Sequence, residues 1–528
     1  MSDLVDCHGG ASATTMAGET PPLGEGVGDV VSDLLTTARQ WPHRPAMVHN
    51  GAAISYGQLA ERIRLIAARY RAGGFCDDAA PHLIGVLVSH TPSAVEHLFG
   101  IMLAGATYCP IDAAHPAARK QVTADVLGLN RLVASAAGHQ GPANLPTVTF
   151  DEDSMAERPL PEPHPDDPAY VLCTSGSTGA PKPVVVSRRA LGVTVYALRR
   201  LFALTAEDRV LQFASLGWDT CLEEILPTLT AGATLVFDDA AQCGSFLPFV
   251  RMLAAREITV VDLPTAFWHE LVLFLHEERM QLPESIRLVV IGGERVDPTR
   301  LRQWLDLDGG RVTLLNTYGC TETTMITHAV ELSGPGAGPH RTEPDAGAPL
   351  GRALPHVVDH VTDEGELMVA GPSLATGYLG SPELASARFP TVDYGTGPIR
   401  WFRTGDVVTR DVIGLLHARG RIDEEVKVLG VRVHPAEVEA QLNTHPAVAG
   451  AVVVGERRLG RTALTAFVVR SDTTTAVELK RYLRGRLPTQ FVPSRIQFIA
   501  ALARTASGKV DRTATTRSAT DQHNQGAS

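Results

Sequence analysis

Thr174, Ser175, Gly176, Ser177, Thr178 and Gly179 form a run of small and hydroxylated residues, and a cation follows at Lys182. Glycine lets a backbone come close to a ligand and turn its N–H groups toward it. Successive N–H groups in a turn make an anion-binding nest. The hydroxyls of Ser175, Ser177 and Thr178 add donors, and Lys182 adds a point charge. Together these groups suit a polyphosphate. The spacing is not that of the P-loop and no helix follows, so this is a phosphate loop of another kind. A solvated Gly/Ser loop without a ligand is the competing reading.

Apolar runs flank that loop, residues 169–173 before it and 184–186 after it, and predict a strand–loop–strand hairpin. Upstream, Leu59, Ile63, Ile66 and Tyr70 recur at helical spacing over 56–70 until Gly73-Gly74. Residues 83–88 predict a strand and 92–104 a helix. Further strands are predicted at 210–214, 233–237, 258–262 and 288–291, with helical patterns between them. Alternation of this kind indicates an α/β body with largely parallel sheets. The Pro- and acid-rich stretch 151–167 predicts a surface linker, and 334–338 a flexible loop. After Gly420 the character changes. Residues 435–442 predict a short helix with Pro in its first turn. Residues 451–454 and 463–469 predict a strand hairpin around Gly455 and Gly460, and 477–487 a helix closed by Pro488. The expected division is a disordered tail at 1–28, a large body at 29–422, a small domain at 423–513 and a flexible tail at 514–528.

The 528 residues allow several domains or one large body with an appendage, and 44% hydrophobic residues suffice for a sizeable core. A net charge of -11 without a long basic run argues against nucleic acid as the partner. The seven cysteines form no CxxC pair, which favours reduced thiols in a cytoplasmic protein with neither zinc nor disulfide frame. No apolar run approaches the ~20 residues needed to span a bilayer, and no signal peptide is apparent. No membrane partner is expected.

Several motifs then stand in order: TSGSTGAPK (174–182), NTYGCTETT (316–324), WFRTGD (401–406), GRIDEEVKVLGVRVHPAEVE (420–439) and ASGKVDR (506–512), with weaker ones in SYGQL (55–59), LAGATYCPID (103–112) and GELMVAG (365–371). This ordered set resembles the adenylation domains of nonribosomal peptide synthetases, within the acyl-adenylate-forming superfamily, over roughly Val31 to Arg512. The resemblance implies a large N-terminal α/β body of mixed and parallel sheets flanked by helices, with a small mobile C-terminal α+β domain. It also implies a two-step ligase reaction. A carboxylate attacks the α-phosphate of magnesium-bound ATP to give an acyl-adenylate and pyrophosphate. A phosphopantetheine thiol on a carrier protein then takes the acyl group. An anionic nucleophile must meet an anionic phosphate, so positioning and preplaced cations are needed.

The resemblance assigns roles residue by residue. Lys509 is the cation bridging carboxylate and α-phosphate. Thr174 to Gly179 and Lys182 hold the ATP phosphates. Tyr318 stacks on adenine, and Gly319 lets the backbone pass close. Gly293, Glu294 and Asn316 line the adenine site. Thr321 offers a hydroxyl to phosphate and Glu322 a hard oxygen to Mg²⁺. Asp406 suits the ribose hydroxyls, assisted by Arg421. Asp423 is the hinge about which the small domain swivels, bringing Lys427 and the segment 428–433 into the site in the second half-reaction. Pro183, where glycine is common in the family, removes an N–H and stiffens the loop.

The substrate pocket follows from the same resemblance. Asp219, behind Trp218 where the family has Phe, meets the substrate amino group. Thr220, Glu223, Asp262, Val290, Gly292, Thr317, Met325 and Ile326 form the side-chain pocket. Buried carboxylates are costly unless paired, so Glu223 and Asp262 together imply a cationic substrate such as lysine, ornithine or β-lysine. The set looks most like domains that load β-lysine in streptothricin- and viomycin-type antibiotic pathways. No carrier, condensation or thioesterase motif is found, so a free-standing unit or one separated from a carrier domain is expected. A carrier protein acting in trans is the expected partner, and a small activator protein a further candidate. An acyl-CoA ligase of the same superfamily is the rival enzyme reading, which Asp219 disfavours. A silent nucleotide-binding scaffold is the remote one.

Overall fold

The structure, a computed structural model, describes residues 28–76, 82–149, 160–176, 181–308, 310–337, 348–395, 397–423, 425–458, 461–503, 512 and 514–517. Among these, two long sheets carry most of the body. In the first, Pro45–His49, Thr234–Phe237, Arg209–Leu211, Val260–Pro264, Leu288–Gly292 and Thr313–Gly319 run parallel in that spatial order. Antiparallel strands close it at both edges, Ala52–Ser55 on one side, and Ile326–Ser333 with Arg352–Ala353 on the other. The second sheet is parallel from Thr147–Val148 through Leu132–Ala134, Leu83–Val88 and Thr107–Asp112 to Pro168–Thr174. It then turns antiparallel at Lys182–Ser187 and Gly377–Tyr378.

Helices between the strands bury their apolar stripes against these sheets. Tyr56–Ala72 buries Leu59, Ile63, Ile66 and Tyr70, the residues whose spacing predicts it, and a capping box of Ser55 and Gln58 starts it. Buried strands read as continuous apolar runs because both faces are covered.

The expectation of largely parallel sheets holds for these two and fails for a third. Val358–Val361, Glu366–Ala370, Pro398–Arg410, Thr391–Asp393 and Leu416–Arg421 pair wholly antiparallel. Apart from Glu366–Ala370, which is buried throughout, these strands mix buried, half-buried and exposed residues, so no apolar run announces them. The strand predicted at 210–214 ends at Leu211, because the Glu224 carboxylate takes the amide hydrogens of Phe213 and Ala214 (3.1 and 3.0 Å). The strand predicted at 258–262 lies two residues later, at Val260–Pro264.

The small domain packs the helices Pro435–Asn443 and Ala476–Arg484 on a three-stranded sheet, Val448–Arg458, Arg461–Arg470 and Arg495–Phe498. The hairpin does not turn at Gly455, which lies inside a strand opposite Leu464. A Cβ there would sit 2.5 Å from Val426 Cγ1, so close packing is what requires glycine. The second helix stops at Arg484, short of Pro488. Residues 514–517 are helical rather than irregular. Residues 1–27 of the predicted tail, 151–159 of the linker 151–167 and 338 of the loop 334–338 fall outside the described residues. No helix among the described residues is long and apolar enough to cross a membrane.

Candidate active site

One cavity lies at the carboxyl ends of the parallel strands, where open α/β sheets place their ligands. Asp262 comes from Val260–Pro264, Gly292 from Leu288–Gly292, Thr317 and Gly319 from Thr313–Gly319, and Thr174 from the end of the strand before the phosphate loop. Trp218, Asp219, Thr220 and Glu223 enter from the start of the helix Thr220–Thr230. Gly293, Thr321, Met325 and Ile326 also line the wall on the large body, and Lys427 projects in from the small domain. The backbone is tightly held here. Thr324 and Met325 both have positive φ (57° and 67°). A Cβ on Gly319 would lie 1.9 Å from the Met325 carbonyl oxygen, so no other residue fits that strand end.

Glu223 and Asp262 are both buried on the cavity wall (9% and 5% exposed) and lie close enough to share a hydrogen bond. Burial raises the proton affinity of both; for Glu223 repulsion from Asp262 and Asp219 and the shared hydrogen bond add to it, while for Asp262 that hydrogen bond opposes it. Asp262 Oδ2 has no hydrogen-bond partner among the described residues. Burial likewise raises Asp219, against the Thr321 hydroxyl, which lowers it. The neighbouring Glu224 is structural, its oxygens spent on the amides of Phe213 and Ala214 and on the Gln212 side chain.

A second cluster gathers the residues expected to hold nucleotide. Tyr318 donates its hydroxyl to Asp406 Oδ2 (2.6 Å), and Arg421 Nη1 donates to Asp406 Oδ1 (2.8 Å). Arg421 also bonds both oxygens of Asp423 (2.6 and 2.8 Å) and Glu425 Oε2 (2.9 Å). Lys427 Nζ stands 5.6 Å from the centroid of the Tyr318 ring. Burial lowers the Lys427 proton affinity, with Asp406 opposing. Glu322 is fully buried. It accepts from the Tyr378 hydroxyl (3.0 Å) and pairs with Arg432 (3.3 Å).

The short hairpin Val426–Val428 and Val431–Val433 reaches the cavity, with Leu429, Gly430, Val431 and Arg432 on its wall. Gly430 N–H donates to Glu294 Oε1 (2.7 Å), and Ser175 Oγ donates to the Arg432 carbonyl (3.0 Å). Lys182 Nζ meets Glu425 Oε1 (3.4 Å). Burial works against the Glu425 charge, yet Arg432, Lys182 and Arg421 hold its carboxyl at about 2. Farther back, Arg119 forms a buried ion pair with Glu437 and lies over the Phe491 ring (5.6 Å to the centroid).

Two expected site residues lie elsewhere. Val290 is in the core of the sheet and not on the cavity wall. Asn316 is buried within its strand, with its side-chain amide donating to the Pro349 carbonyl (2.7 Å). Ser177, Thr178, Gly179 and Lys509 lie outside the described residues. Sequence reasoning did not single out Phe213, Gln242 or Gln490, all on the wall. Arg432, also on the wall, lies in the segment 428–433 that was expected to enter the site. Gln490 had no signal, because it reaches the cavity only through docking of the small domain.

Residues 34–379 match the model of the family described as AMP-binding enzyme, and residues 437–509 that of the AMP-binding enzyme C-terminal domain. The chain is 38% identical over 515 residues to isonitrile lipopeptide synthase of Streptomyces coeruleorubidus, covering 95% of this chain and 34% of that protein. It is 33% identical over 502 residues to phosphinothricin tripeptide synthetase PhsC of Streptomyces viridochromogenes, covering 90% of this chain and 44% of that protein. The chain thus spans less than half the length of either relative. Among solved structures, an artificially fused adenylation–PCP di-domain NRPS from Klebsiella oxytoca superposes with a TM-score of 0.78 at 23% identity, over 89% of this chain and 93% of that one.

Proposed function

The chain belongs to the AMP-binding enzyme family, and on that premise we propose that it is an AMP- and pyrophosphate-forming ligase of nonribosomal peptide antibiotic synthesis. It activates a basic amino acid with ATP as the aminoacyl-adenylate and passes it to the phosphopantetheine thiol of a carrier protein. The observation that carries the choice of substrate is the buried pair Glu223 and Asp262, with Asp262 Oδ2 left without a hydrogen-bond partner among the described residues. Asp219 adopts helical angles at the start of Thr220–Thr230. Asp219 and Glu223 therefore share one helix face, ~6 Å apart along its axis. A substrate with two ammonium groups at a similar separation would satisfy both acids. β-Lysine is favoured, with ornithine and lysine next.

The other residues fit the nucleotide. The ring of Tyr318 offers adenine a face, and the Asp406 carboxylate, steadied by Tyr318 and Arg421, keeps lone pairs for ribose hydroxyls. Lys182 and the hydroxyl of Ser175 are donors suited to phosphate. Mg²⁺ arriving with ATP needs only one or two protein carboxylates besides phosphate oxygens, and Glu322 would supply one. The metal would draw charge from the phosphates, while this chain's groups orient the carboxylate for in-line attack. Lys509 is the proposed bridging cation for adenylation, and Lys427 serves the second half-reaction.

The test is substrate-dependent pyrophosphate exchange on a panel of β-lysine, lysine, ornithine, 2,4-diaminobutyrate, norleucine and plain carboxylic acids. Exchange with the diamino acids and not with norleucine is expected. Equal exchange with norleucine would remove the basic substrate. A preference for acids without an amino group would favour the acyl-CoA ligase instead.

A further inference from the structure

A buried charge network lies behind the ring proposed to meet adenine. Tyr318 and His328 stand directly opposite each other on the antiparallel strands Thr313–Gly319 and Ile326–Ser333. Directly opposed side chains share a face of the sheet and touch, and the two rings meet edge to face, with centroids 5.7 Å apart and planes at 66°. His328 is fully buried. Its Nε2 meets Asp359 Oδ2 (3.1 Å), an oxygen that also accepts from Arg410 Nη2 (2.7 Å). Its Nδ1 meets Thr327 Oγ1 (2.9 Å), whose hydroxyl donates to the Tyr318 carbonyl (3.1 Å).

These bonds can all be made in one protonation state only. A carbonyl offers no hydrogen, so the single hydroxyl hydrogen of Thr327 goes to Tyr318, and Thr327 Oγ1 accepts from Nδ1. Burial works against the Asp359 charge, yet its bonds to His328 and Arg410 hold its carboxyl below the usual carboxylate range. An ionised Asp359 has no hydrogen to give, so Oδ2 accepts from Nε2 as well as from Arg410. Both ring nitrogens of His328 therefore donate, and the ring is an imidazolium. His356, close by, is the opposite case. Burial, and then the charge of His328, hold its pKa at about 4, and neither of its ring nitrogens has a hydrogen-bond partner among the described residues.

We propose that His328 is a positioning residue for the nucleotide, a cation pinned by Asp359 that fixes Tyr318 through its ring and, by way of Thr327, through its carbonyl. This rests on the nucleotide reading of Tyr318 above. A buried ion pair adds little stability over apolar side chains of similar volume, so stability is a poor reason to keep one here. What its directed bonds supply is orientation. The Tyr318 hydroxyl is itself bonded to Asp406, the carboxylate proposed for the ribose. A tilt of the Tyr318 ring would therefore disturb the adenine face and the ribose acceptor together. His328 is not on the wall of the cavity that takes the acid substrate. Its loss should weaken the nucleotide and spare the acid.

The experiment has two arms on the full chain. The first is nitrogen NMR of protein labelled at histidine, with the His328 ring signals identified by their loss in His328→Gln. Both ring nitrogens are expected at the shifts of a protonated imidazole near neutral pH. An unprotonated nitrogen in that ring would overturn the proposal. The second arm is pyrophosphate exchange with varied ATP and varied acid, alongside calorimetry of AMP. His328→Leu is expected to raise the KM for ATP and to weaken AMP by about tenfold or more, the loss of charge-assisted hydrogen bonds. The KM for the acid and kcat at saturating ATP should change by less than about threefold. His328→Gln, which keeps one donor for Asp359, is expected to recover part of the affinity. An unchanged KM for ATP would overturn the proposal, and so would equal losses for ATP, acid and kcat. Asp359→Asn provides the same comparison if His328→Leu does not fold. Weaker AMP binding in His328→Leu, in a chain that exchanges pyrophosphate with no acid, would sink the adenylation reading alone. Exchange with an acid at wild-type ATP affinity in that variant would sink the role of His328 alone.

Discussion

Glu223 and Asp262 are the residues on which the proposed charge preference of the pocket rests. Each keeps its proton to higher pH than an ordinary carboxyl, because burial disfavours the charged form, and for Glu223 the facing acid does so too. Over the window between the ordinary carboxyl range and the raised values, the folded chain binds more protons than the unfolded one. Stability contributed by the pair therefore falls as pH rises from about 4.5 through that window. The difference in melting temperature between wild type and Glu223→Gln isolates this contribution, and it should shift in favour of the variant as pH rises. A basic ligand reverses the sign, since its ammonium stabilises the ionised acids. Its affinity, read by calorimetry, should increase with pH over the same window. Breaking a buried ion pair costs ~3–5 kcal/mol, so norleucine should be rejected by about 10²–10³-fold in exchange rate. Glu223→Gln or Asp262→Asn should shrink that ratio by raising norleucine turnover and lowering that of the diamino acid. A ratio that stays fixed in both variants would show that neither acid reads the side chain.

Elements set where such residues meet, and here sequence was unevenly informative. The strand Leu83–Val88, the helix from Pro92 and the strands around the phosphate loop follow from apolar runs and turn residues. The antiparallel sheet of residues 358–421 does not, because its strands other than Glu366–Ala370 mix exposed and buried positions and one of them, Pro398–Arg410, serves several partners. The cavity wall was legible where it falls within a strand end or a quoted motif, as at Asp262 and Thr317. It was not legible at Gln242 or Gln490, whose neighbours in sequence give no pattern. Gly319 could be read as a close approach, but its reason is the Met325 carbonyl, brought back by the positive φ of Thr324 and Met325. Gly319→Ala is therefore expected to cost at least ~1–3 kcal/mol by overpacking and to displace Tyr318. Urea denaturation and pyrophosphate exchange should both report it, and an alanine variant as stable and active as wild type would refute the contact. Between domains, the buried pair of Arg119 and Glu437 joins the helix Ala117–Val126 to the helix Pro435–Asn443. Arg119→Ala strands a buried carboxylate and should favour undocking, seen as faster amide exchange at residues 426–433. The charge-swapped Arg119→Glu/Glu437→Arg chain should recover part of the protection.

At the scale of the whole molecule, the small domain sits with its hairpin in the site of the large body, and several contacts hold it there. Glu294 takes the Gly430 amide, Lys182 takes Glu425, Glu322 takes Arg432, and Arg119 takes Glu437. In this arrangement Lys427 is the small-domain amine that stands over the Tyr318 ring. Burial in the docked position lowers its affinity for a proton, against the pull of Asp406, so its charge there leans on the acids around the site. If one face of the small domain serves adenylation through Lys509 and the other serves thiol transfer through Lys427, the two lysines must fail differently. Lys509→Ala should lose about 10²–10³-fold in pyrophosphate exchange, the usual cost of one preorganised charge stabiliser. It should also transfer a preformed adenylate to pantetheine far less impaired. Lys427→Ala should show the opposite split, with single-turnover transfer to pantetheine slowed by about 10²-fold and exchange reduced much less. Equal loss of both steps in both variants would mean that the chain works from a single arrangement of its domains.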